Sequence, residues 1–226
     1  MRWCEKDPLY FEEFKRLIQR QYPSLLLSID DSKVILTGML FLRDLEGKEI
    51  DHYRIRIVFN DNYPEIEPMV YEIGGRIPKI ADRHFYPTET NACLFLIDER
   101  YKYYTSSTTI VNFIRQIVEP FFLSQTHYEL TGKWLFGDRR HGVFGIIDFY
   151  KEILETEDLQ VISKFLYALA GDKVKGHWNC FCGSNSKIRH CHFELVKEFR
   201  NKIPKRIALK SLRQVYEYSK RLNQKV

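Results

Sequence analysis

In the first third of the chain, the spacing of apolar residues changes from a helical period to short apolar runs, which predicts a helix followed by strands. Apolar side chains of residues 10–18 fall on one helical face, and Asp7-Pro8 just before them is typical of a helix start. Four short apolar runs separated by turn sequences then predict strands, at residues 24–29, 34–42, 53–59 and 69–73. A helix followed by an antiparallel meander predicts an α+β fold.

Two of these strands differ in pattern. Residues 53–59 alternate apolar and polar side chains, which predicts one buried and one exposed face. Residues 34–42 are apolar almost throughout, which predicts a strand that is covered on both faces.

The rest of the chain is predicted to be mostly helical. Residues 110–121 carry a wide apolar stripe after N-cap candidates at 106–108, and Pro120 is expected to bend or end that helix. Residues 124–141 lack a clear period, which predicts a loop. Four more helices are predicted, at residues 146–154, 159–169, 193–203 and 207–222. The change in pattern near residue 142 predicts two domains, 1–142 and a helical domain 143–226.

Composition narrows the class of protein. A hydrophobic content of 44% supports a packed core, and no apolar run approaches the ~20 residues of a membrane span. The first residues lack a signal-peptide core, so we expect a cytoplasmic protein with no membrane partner. Residues 193–226 hold ten Lys and Arg against three Glu, a charge of +7. Such a basic tail could contact nucleic acid, an acidic partner or only water.

A single cysteine, Cys93, lies in a predicted loop nine residues after His84. A loop cysteine can be partly exposed and flanked by groups that favour the thiolate, which makes Cys93 a candidate nucleophile. The alternative is a buried cysteine that serves packing.

The motifs around Cys93 resemble those of ubiquitin-conjugating enzymes. An N-terminal helix, a four-stranded meander, the element Tyr63-Pro64-Glu65-Ile66-Glu67-Pro68, then His84 and Cys93-Leu94 follow that family's order. The stretch Tyr128-Glu129-Leu130-Thr131-Gly132-Lys133-Trp134 is similar to an element of its bacterial members. The resemblance covers roughly residues 5–142 and implies the ubiquitin-conjugating (UBC) fold. The family's asparagine after the histidine is absent, since Phe85-Tyr86-Pro87 follow His84, so the oxyanion donor is unassigned.

The resemblance implies that Cys93 carries an acyl group as a thioester and passes it to an amine. The acyl group would be the C-terminus of a ubiquitin-like protein or of a cyclic-nucleotide synthase, as in bacterial anti-phage defence, and a separate activating enzyme would load it. His84 is a candidate catalytic residue by analogy, with a structural role in the loop as the alternative. Asp98, Glu99 and His127 are candidates to accept the proton of the amine, each against the alternative of a solvated surface residue.

A second cluster combines Cys-x-Cys-Gly-Ser with Cys-His eight residues later, within residues 176–193. Three thiolates and one imidazole suit a tetrahedral Zn²⁺ site, and four filled positions predict a structural zinc with no catalytic role. The pattern resembles the small zinc motif at the C-terminus of the SecA translocase. His190 is a candidate substitute ligand. The predicted ligands are Cys180, Cys182, Cys191 and His192.

The leading interpretation is a UBC-like transferase whose helical tail selects a partner. Two alternatives are a catalytically inactive UBC-fold module that binds protein, and a zinc-containing adaptor that binds nucleic acid. Nucleic acid is less favoured, because the tail lacks a stacking pattern of aromatic and basic residues beyond Tyr216 and Tyr218.

Overall fold

The computed structural model describes residues 2–30, 33–137, 140 and 142–224. Its fold is α+β, with N-terminal helices, a four-stranded antiparallel sheet and C-terminal helices. None of the helices in the described residues is both long enough and apolar enough to cross a bilayer. The elements are α1 (Trp3–Lys6), α2 (Pro8–Gln21), β1 (Leu25–Asp30), β2 (Lys33–Arg43), β3 (Glu49–Phe59), β4 (Met69–Glu72), α3 (Arg100–Tyr103), α4 (Ile110–Phe113), α5 (Glu119–Thr131), α6 (Gly142–Leu154), α7 (Leu159–Ala170), α8 (Phe193–Lys202) and α9 (Lys205–Asn223).

The chain forms two compact units, and the division is not continuous in sequence. The sheet unit contains Met1–Leu94 and Tyr103–Asp138, and the helical unit contains Phe95–Lys102 and Arg139–Val226. The predicted division was continuous, at residue 142; residues 138, 139 and 141 beside that boundary lie outside the described residues. Segment 95–102 belongs to the helical unit because Leu96, Ile97 and Tyr101 pack against the apolar core of that unit.

The sheet has the order β1-β2-β3-β4, with every neighbouring pair antiparallel. The helix before it begins as predicted. Asp7 is the N-cap of α2 and accepts a hydrogen bond from the backbone N–H of Tyr10, while Pro8 occupies the first turn, where no N–H partner is needed. Helix α2 buries Phe14 and Ile18 in the core of the sheet unit.

The strand β3 alternates as predicted, with Ile55 and Ile57 buried and Arg54 and Arg56 exposed. The prediction that β2 is covered on both faces is wrong. The face of β2 that carries Leu36 is buried. The opposite face is only half-buried, at Ile35, Thr37, Met39 and Phe41. Apolar composition does not distinguish a strand between two layers from one with a partly open face.

The helix after residue 109 is longer than predicted. Its N-cap is Thr109, whose hydroxyl accepts from the N–H of Asn112, one residue beyond the predicted candidates. Pro120 does not end the helix, because a π-helical segment, Ile114–Val118, precedes it and α5 continues to Thr131. A widened turn accommodates a residue that has no N–H to donate. The loop predicted to begin at residue 124 is therefore wrong for residues 124–131.

The four predicted helices of the tail are present as α6 to α9. Their inward faces form one apolar cluster that includes the fully buried rings of Tyr150 and Phe165. Phe165 contacts the rings of Phe181 and Phe199 at centroid distances of 5.3 and 5.9 Å. Because Phe181 lies between two cysteines of the predicted metal site, the core of the helical unit is continuous with that site.

Candidate functional site

The Cys93 loop, residues 84–93, closes on itself through backbone hydrogen bonds. The N–H of Cys93 donates to the carbonyl of His84 at 2.7 Å, and the N–H of Tyr86 donates to the carbonyl of Asn91 at 3.0 Å. His84 and Thr90 adopt positive φ values of 55° and 61°, which turn the chain at both ends of the loop. The loop therefore holds His84 and Cys93 side by side, as a short hairpin does.

The thiol of Cys93 is half-buried and lies 3.5 Å from the hydroxyl oxygen of Tyr86. Burial raises the pKa of Cys93, and the contact with Tyr86 opposes that rise only in part. The sequence analysis expected surroundings that favour the thiolate, whereas burial of the Cys93 side chain acts against the thiolate. Burial likewise raises the pKa of Tyr86, and the nearby thiol adds to the effect.

His84 is held by aromatic rings from the end of α5. Its imidazole packs edge-on against the indole of Trp134, with ring centroids 4.4 Å apart, and Trp134 stacks on Tyr128 at 4.3 Å. Gly132 makes this possible, because its φ of 69° ends α5 and turns the chain back. The histidine before Cys93 and the element at residues 128–134 thus meet in one place.

A polar network lies next to this aromatic group. Arg83 places its guanidinium 4.9 Å from the ring centroid of Tyr128 and donates to Gln125 Oε1 at 2.9 Å and to Glu129 at 3.2 Å. Gln125 returns a bond to the carbonyl of Arg83 at 2.8 Å. Glu129 also accepts from Arg76 at 2.9 Å. The residue before His84 is therefore fixed to α5 by charged hydrogen bonds.

Asp98 and Glu99 are not solvated surface residues. Both are about 1% exposed and belong to the helical unit. Asp98 accepts hydrogen bonds from the hydroxyls of Tyr150 at 2.7 Å and Ser211 at 2.9 Å, and Lys102 donates to Glu99 at 2.8 Å. Burial raises the pKa of Asp98 although both hydroxyls oppose the rise. A proton acceptor for an incoming amine requires access, which a side chain this deeply buried does not offer.

His127 lies on α5 in the sheet unit and is half-buried. From the same helix, Phe121 packs edge-on against Phe85 of the Cys93 loop, with ring centroids 5.5 Å apart. Asn91, whose spacing differs from that of the family's asparagine, donates from its side chain to the carbonyl of Ala92 at 3.3 Å. That bond supports the loop backbone beside Cys93.

The four predicted metal ligands converge. The ligand atoms of Cys180, Cys182, Cys191 and His192 all lie within 4.8 Å of one another, so the cluster could hold a metal ion. Cys180 Sγ is 3.2 Å from His192 Nδ1, and Cys182 Sγ is 3.6 Å from Cys191 Sγ. A tetrahedron with metal–sulfur bonds of about 2.3 Å has sulfur–sulfur edges of about 3.8 Å. The observed separations therefore fit one ion.

The loop geometry explains this convergence. Gly183, with a φ of 79°, and Asn185, with a φ of 58°, turn the chain after Cys182, and the N–H of Cys180 donates to the carbonyl of Ser186 at 2.8 Å. The hydroxyl of Ser184 lies 3.2 Å from the sulfur of Cys182. His190 is not in the cluster; its Nε2 accepts from Arg189 Nε at 2.9 Å.

The sequence analysis did not identify Tyr86 or Arg83 as parts of the site. Tyr86 reaches Cys93 only because Phe85 pairs with Ala92 across the loop. An isolated bridge produces no alternation of apolar and polar residues, and Pro87 is unfavourable in a strand, so the sequence does not predict the pairing. Comparison of the chain with protein-family models, with curated proteins and with solved structures gave no match.

Proposed function

We propose that the sheet unit is a UBC-like acyl carrier that holds the C-terminus of a partner protein as a thioester on Cys93. The observation that carries the proposal is the meeting of three separately predicted residues. The backbone of Cys93 bonds to that of His84, and the ring of His84 contacts Trp134. A partly exposed thiol on a loop fixed in this way can accept an acyl group without reorganising its backbone.

The proposed chemistry has two steps. The thiolate of Cys93 attacks the carbonyl of an activated C-terminus, so that a C–S bond forms and the activating group leaves. An amine then attacks the thioester, so that a C–N bond forms, the C–S bond breaks and the amine loses a proton. A thiol of raised pKa is a poorer leaving group, so the loaded form persists until an amine is positioned. His127 is the candidate proton acceptor in the same unit as Cys93.

The proposed partner is a ubiquitin-like protein or the C-terminus of a cyclic-nucleotide synthase, loaded by a separate activating enzyme in the cytoplasm during bacterial anti-phage defence. This setting rests on the resemblance of the motifs at His84, Cys93 and residues 128–134 to bacterial members of the ubiquitin-conjugating family. The UBC fold is part of the same proposal. It is supported by the order of α2, the four-stranded meander and α5.

The proposed ion at Cys180, Cys182, Cys191 and His192 is Zn²⁺, because three sulfurs and one imidazole nitrogen at these separations suit its tetrahedral preference. With all four positions taken by protein, the ion would hold the loop at residues 180–192 against the helical core. It would offer no open position for substrate.

The test of the carrier is a non-reducing gel of the full chain with its partner and activating enzyme. The parent protein should give an adduct that a thiol reductant removes, and Cys93→Ser should give an ester that resists the reductant. Cys93→Ala should give neither, while Cys4→Ala should behave like the parent. An adduct that survives in Cys93→Ala contradicts the proposal, and stable binding with no adduct favours the protein-binding module.

A further inference from the structure

The side chains of Tyr86 and Cys93 lie on the same face of the Cys93 loop. Phe85 pairs with Ala92 in an antiparallel bridge across the loop. Neighbouring residues of paired extended chains point to opposite faces, so Tyr86 and Cys93, which follow this pair, share the face that the pair does not use. They are diagonal neighbours, at a separation that an aromatic side chain can span. The hydroxyl oxygen of Tyr86 accordingly lies 3.5 Å from the sulfur of Cys93.

The other hydrogen-bond donors of this loop already have acceptors within the protein. In the Cys93 loop, the backbone N–H groups of residues 86, 90, 92 and 93 all donate to carbonyl groups, at 2.7–3.0 Å. The side-chain amide of Asn91 donates to the carbonyl of Ala92 at 3.3 Å. Because these bonds hold the loop in shape, none of these donors can turn to a substrate oxygen without opening the loop.

The hydroxyl of Tyr86 differs from these donors. Among the residues that the structure describes, its hydrogen-bond partner is the thiol of Cys93 alone. Burial and the neighbouring thiol both raise the pKa of Tyr86, so its hydroxyl keeps its proton at neutral pH. Although burial raises the pKa of Cys93, this hydroxyl lowers it, as a donor to the thiolate does. Tyr86 is 42% exposed, so a substrate can approach it.

The negative charge of acyl transfer develops two bonds away from the sulfur. When an amine attacks the carbon of a thioester, the π electrons of the C=O bond move onto oxygen, while that carbon is still bonded to sulfur. The oxyanion needs a donor at about 2.7–3.1 Å. Rotation about the bond between Cβ and sulfur can bring the acyl oxygen to a hydroxyl that already lies beside the sulfur.

We propose that Tyr86 is a catalytic residue, whose hydroxyl donates a hydrogen bond to the oxyanion that forms when Cys93 accepts and releases an acyl group. The proposal deepens the proposed function and rests on it. Tyr86 keeps its own proton throughout. As the oxyanion collapses, the C=O bond re-forms, the C–S bond breaks and its electron pair returns to the sulfur of Cys93. The proton of the amine goes to a base, for which His127 is the candidate.

The experiment follows a small acyl group on Cys93 of the full chain. The probe is N-acetylglycine as its thioester with mercaptoethanesulfonate, and Nα-acetyl-lysine is the acceptor amine. Peptide-level mass spectrometry after digestion in acid separates Cys93 from the other thiols. Tyr86→Phe should slow both the loading of Cys93 and the discharge of its acyl group to the amine by at least about tenfold, because one oxyanion donor is lost.

Alkylation of Cys93 by iodoacetamide separates this role from an effect on the thiol. Alkylation displaces iodide at a saturated carbon and forms no oxyanion. Once each pH profile has reached its plateau, the rates of the parent and of Tyr86→Phe should therefore agree within about twofold. A raised thiol pKa can slow discharge by at most about tenfold per unit, and the alkylation midpoints measure that shift. The slowing of discharge should exceed this limit.

Tyr167→Phe is the matched control, because it removes the hydroxyl of an exposed tyrosine on α7. It should leave loading, discharge and alkylation unchanged. Unchanged discharge in Tyr86→Phe would overturn the proposal, and so would a slowing no larger than the measured pKa shift allows. A Cys93 that takes no acyl group from the probe in the parent also contradicts it, since a thiol beside an oxyanion donor should accept one.

The probe needs no partner protein, so the result is separate from that of the carrier test. Slowed discharge of the probe with no adduct to a partner would remove the proposed function and keep the role of Tyr86. A normal adduct in the parent with unchanged discharge of the probe in Tyr86→Phe would do the reverse.

Discussion

The imidazole of His84 lies edge-on to the indole of Trp134, with ring centroids 4.4 Å apart, although the two residues are fifty positions apart in the sequence. The backbone carbonyl of the same histidine accepts the N–H of Cys93. One residue therefore connects the end of α5 to the cysteine loop, with its ring on one side and its backbone on the other. Because the contact with Trp134 supports the Cys93 loop, a substitution of Trp134 is expected to make that loop less rigid.

Trp134→Ala should loosen the Cys93 loop. The substitution removes the contact with His84 and the stacking on Tyr128, and aromatic pairs of this kind contribute about 1 kcal/mol each beyond their buried area. We expect backbone amides of residues 84–93 to exchange with solvent at least about tenfold faster, measured by hydrogen-exchange mass spectrometry. Trp178→Ala, at an exposed tryptophan of the helical unit, should leave that exchange unchanged. Equal exchange in Trp134→Ala and the parent would contradict the supporting role.

Tyr86→Phe should make the thiol of Cys93 harder to ionise. Burial raises the pKa of Cys93 and the hydroxyl of Tyr86 lowers it, so loss of the hydroxyl leaves burial unopposed. The midpoint of the pH profile for alkylation of Cys93 should move to higher pH. Tyr167→Phe, at an exposed phenol on α7, should not move it. A shift to lower pH in Tyr86→Phe would show that the hydroxyl destabilises the thiolate.

Purified protein should contain about one zinc per chain. Cys182→Ser should lose the metal and expose the helical unit to protease, because the ion would be holding the loop at residues 180–192 in place. His190→Ala is the matched control, since His190 is adjacent to the ligands and outside the cluster, and it should keep the metal. Metal-free parent protein with an equally protease-resistant helical unit would count against the assignment.

Asp51 should stabilise the protein at neutral pH and lose that effect in acid. Burial raises its pKa, but hydrogen bonds from Arg76 and Thr126 outweigh burial and lower the pKa to about 2. A carboxyl whose pKa is lower in the folded state stabilises above its unfolded pKa, and the contribution disappears as pH falls from about 4 to about 2. Urea unfolding should show Asp51→Asn less stable than the parent by up to about 2 kcal/mol at pH 7. That difference should shrink near pH 2, and a constant difference would contradict the assigned pKa.

Local signals in the sequence were sufficient for much of the architecture. Asp7-Pro8 marks a helix start because the side chain and the missing N–H both suit the first turn. Alternation over residues 53–59 identified the buried and exposed faces of β3. The spacing of Cys180, Cys182, Cys191 and His192 was enough to predict their convergence, because so short a chain between them limits where they can lie.

Other features depended on partners that are distant in sequence. Asp98 was expected to be either a proton acceptor or a solvated surface residue, yet it is buried and bound by Tyr150 and Ser211, which are 52 and 113 residues away in the sequence. Pro120 was expected to bend or end a helix. The π-helical segment before it accommodates the missing N–H of the proline, so the helix continues to Thr131. Whether a face of β2 is buried depends on the elements that pack over the sheet. The apolar residues of β2 do not specify those elements.

The discontinuity of the two units has a consequence for synthesis on the ribosome. Leu96 and Ile97 leave the exit tunnel long before α6 to α9, against whose core they pack. The 121 residues from Tyr103 to Asn223 take about 6 to 25 s to translate at ordinary bacterial and eukaryotic rates. During that interval the nascent chain displays an apolar segment immediately after Cys93, where a chaperone can bind.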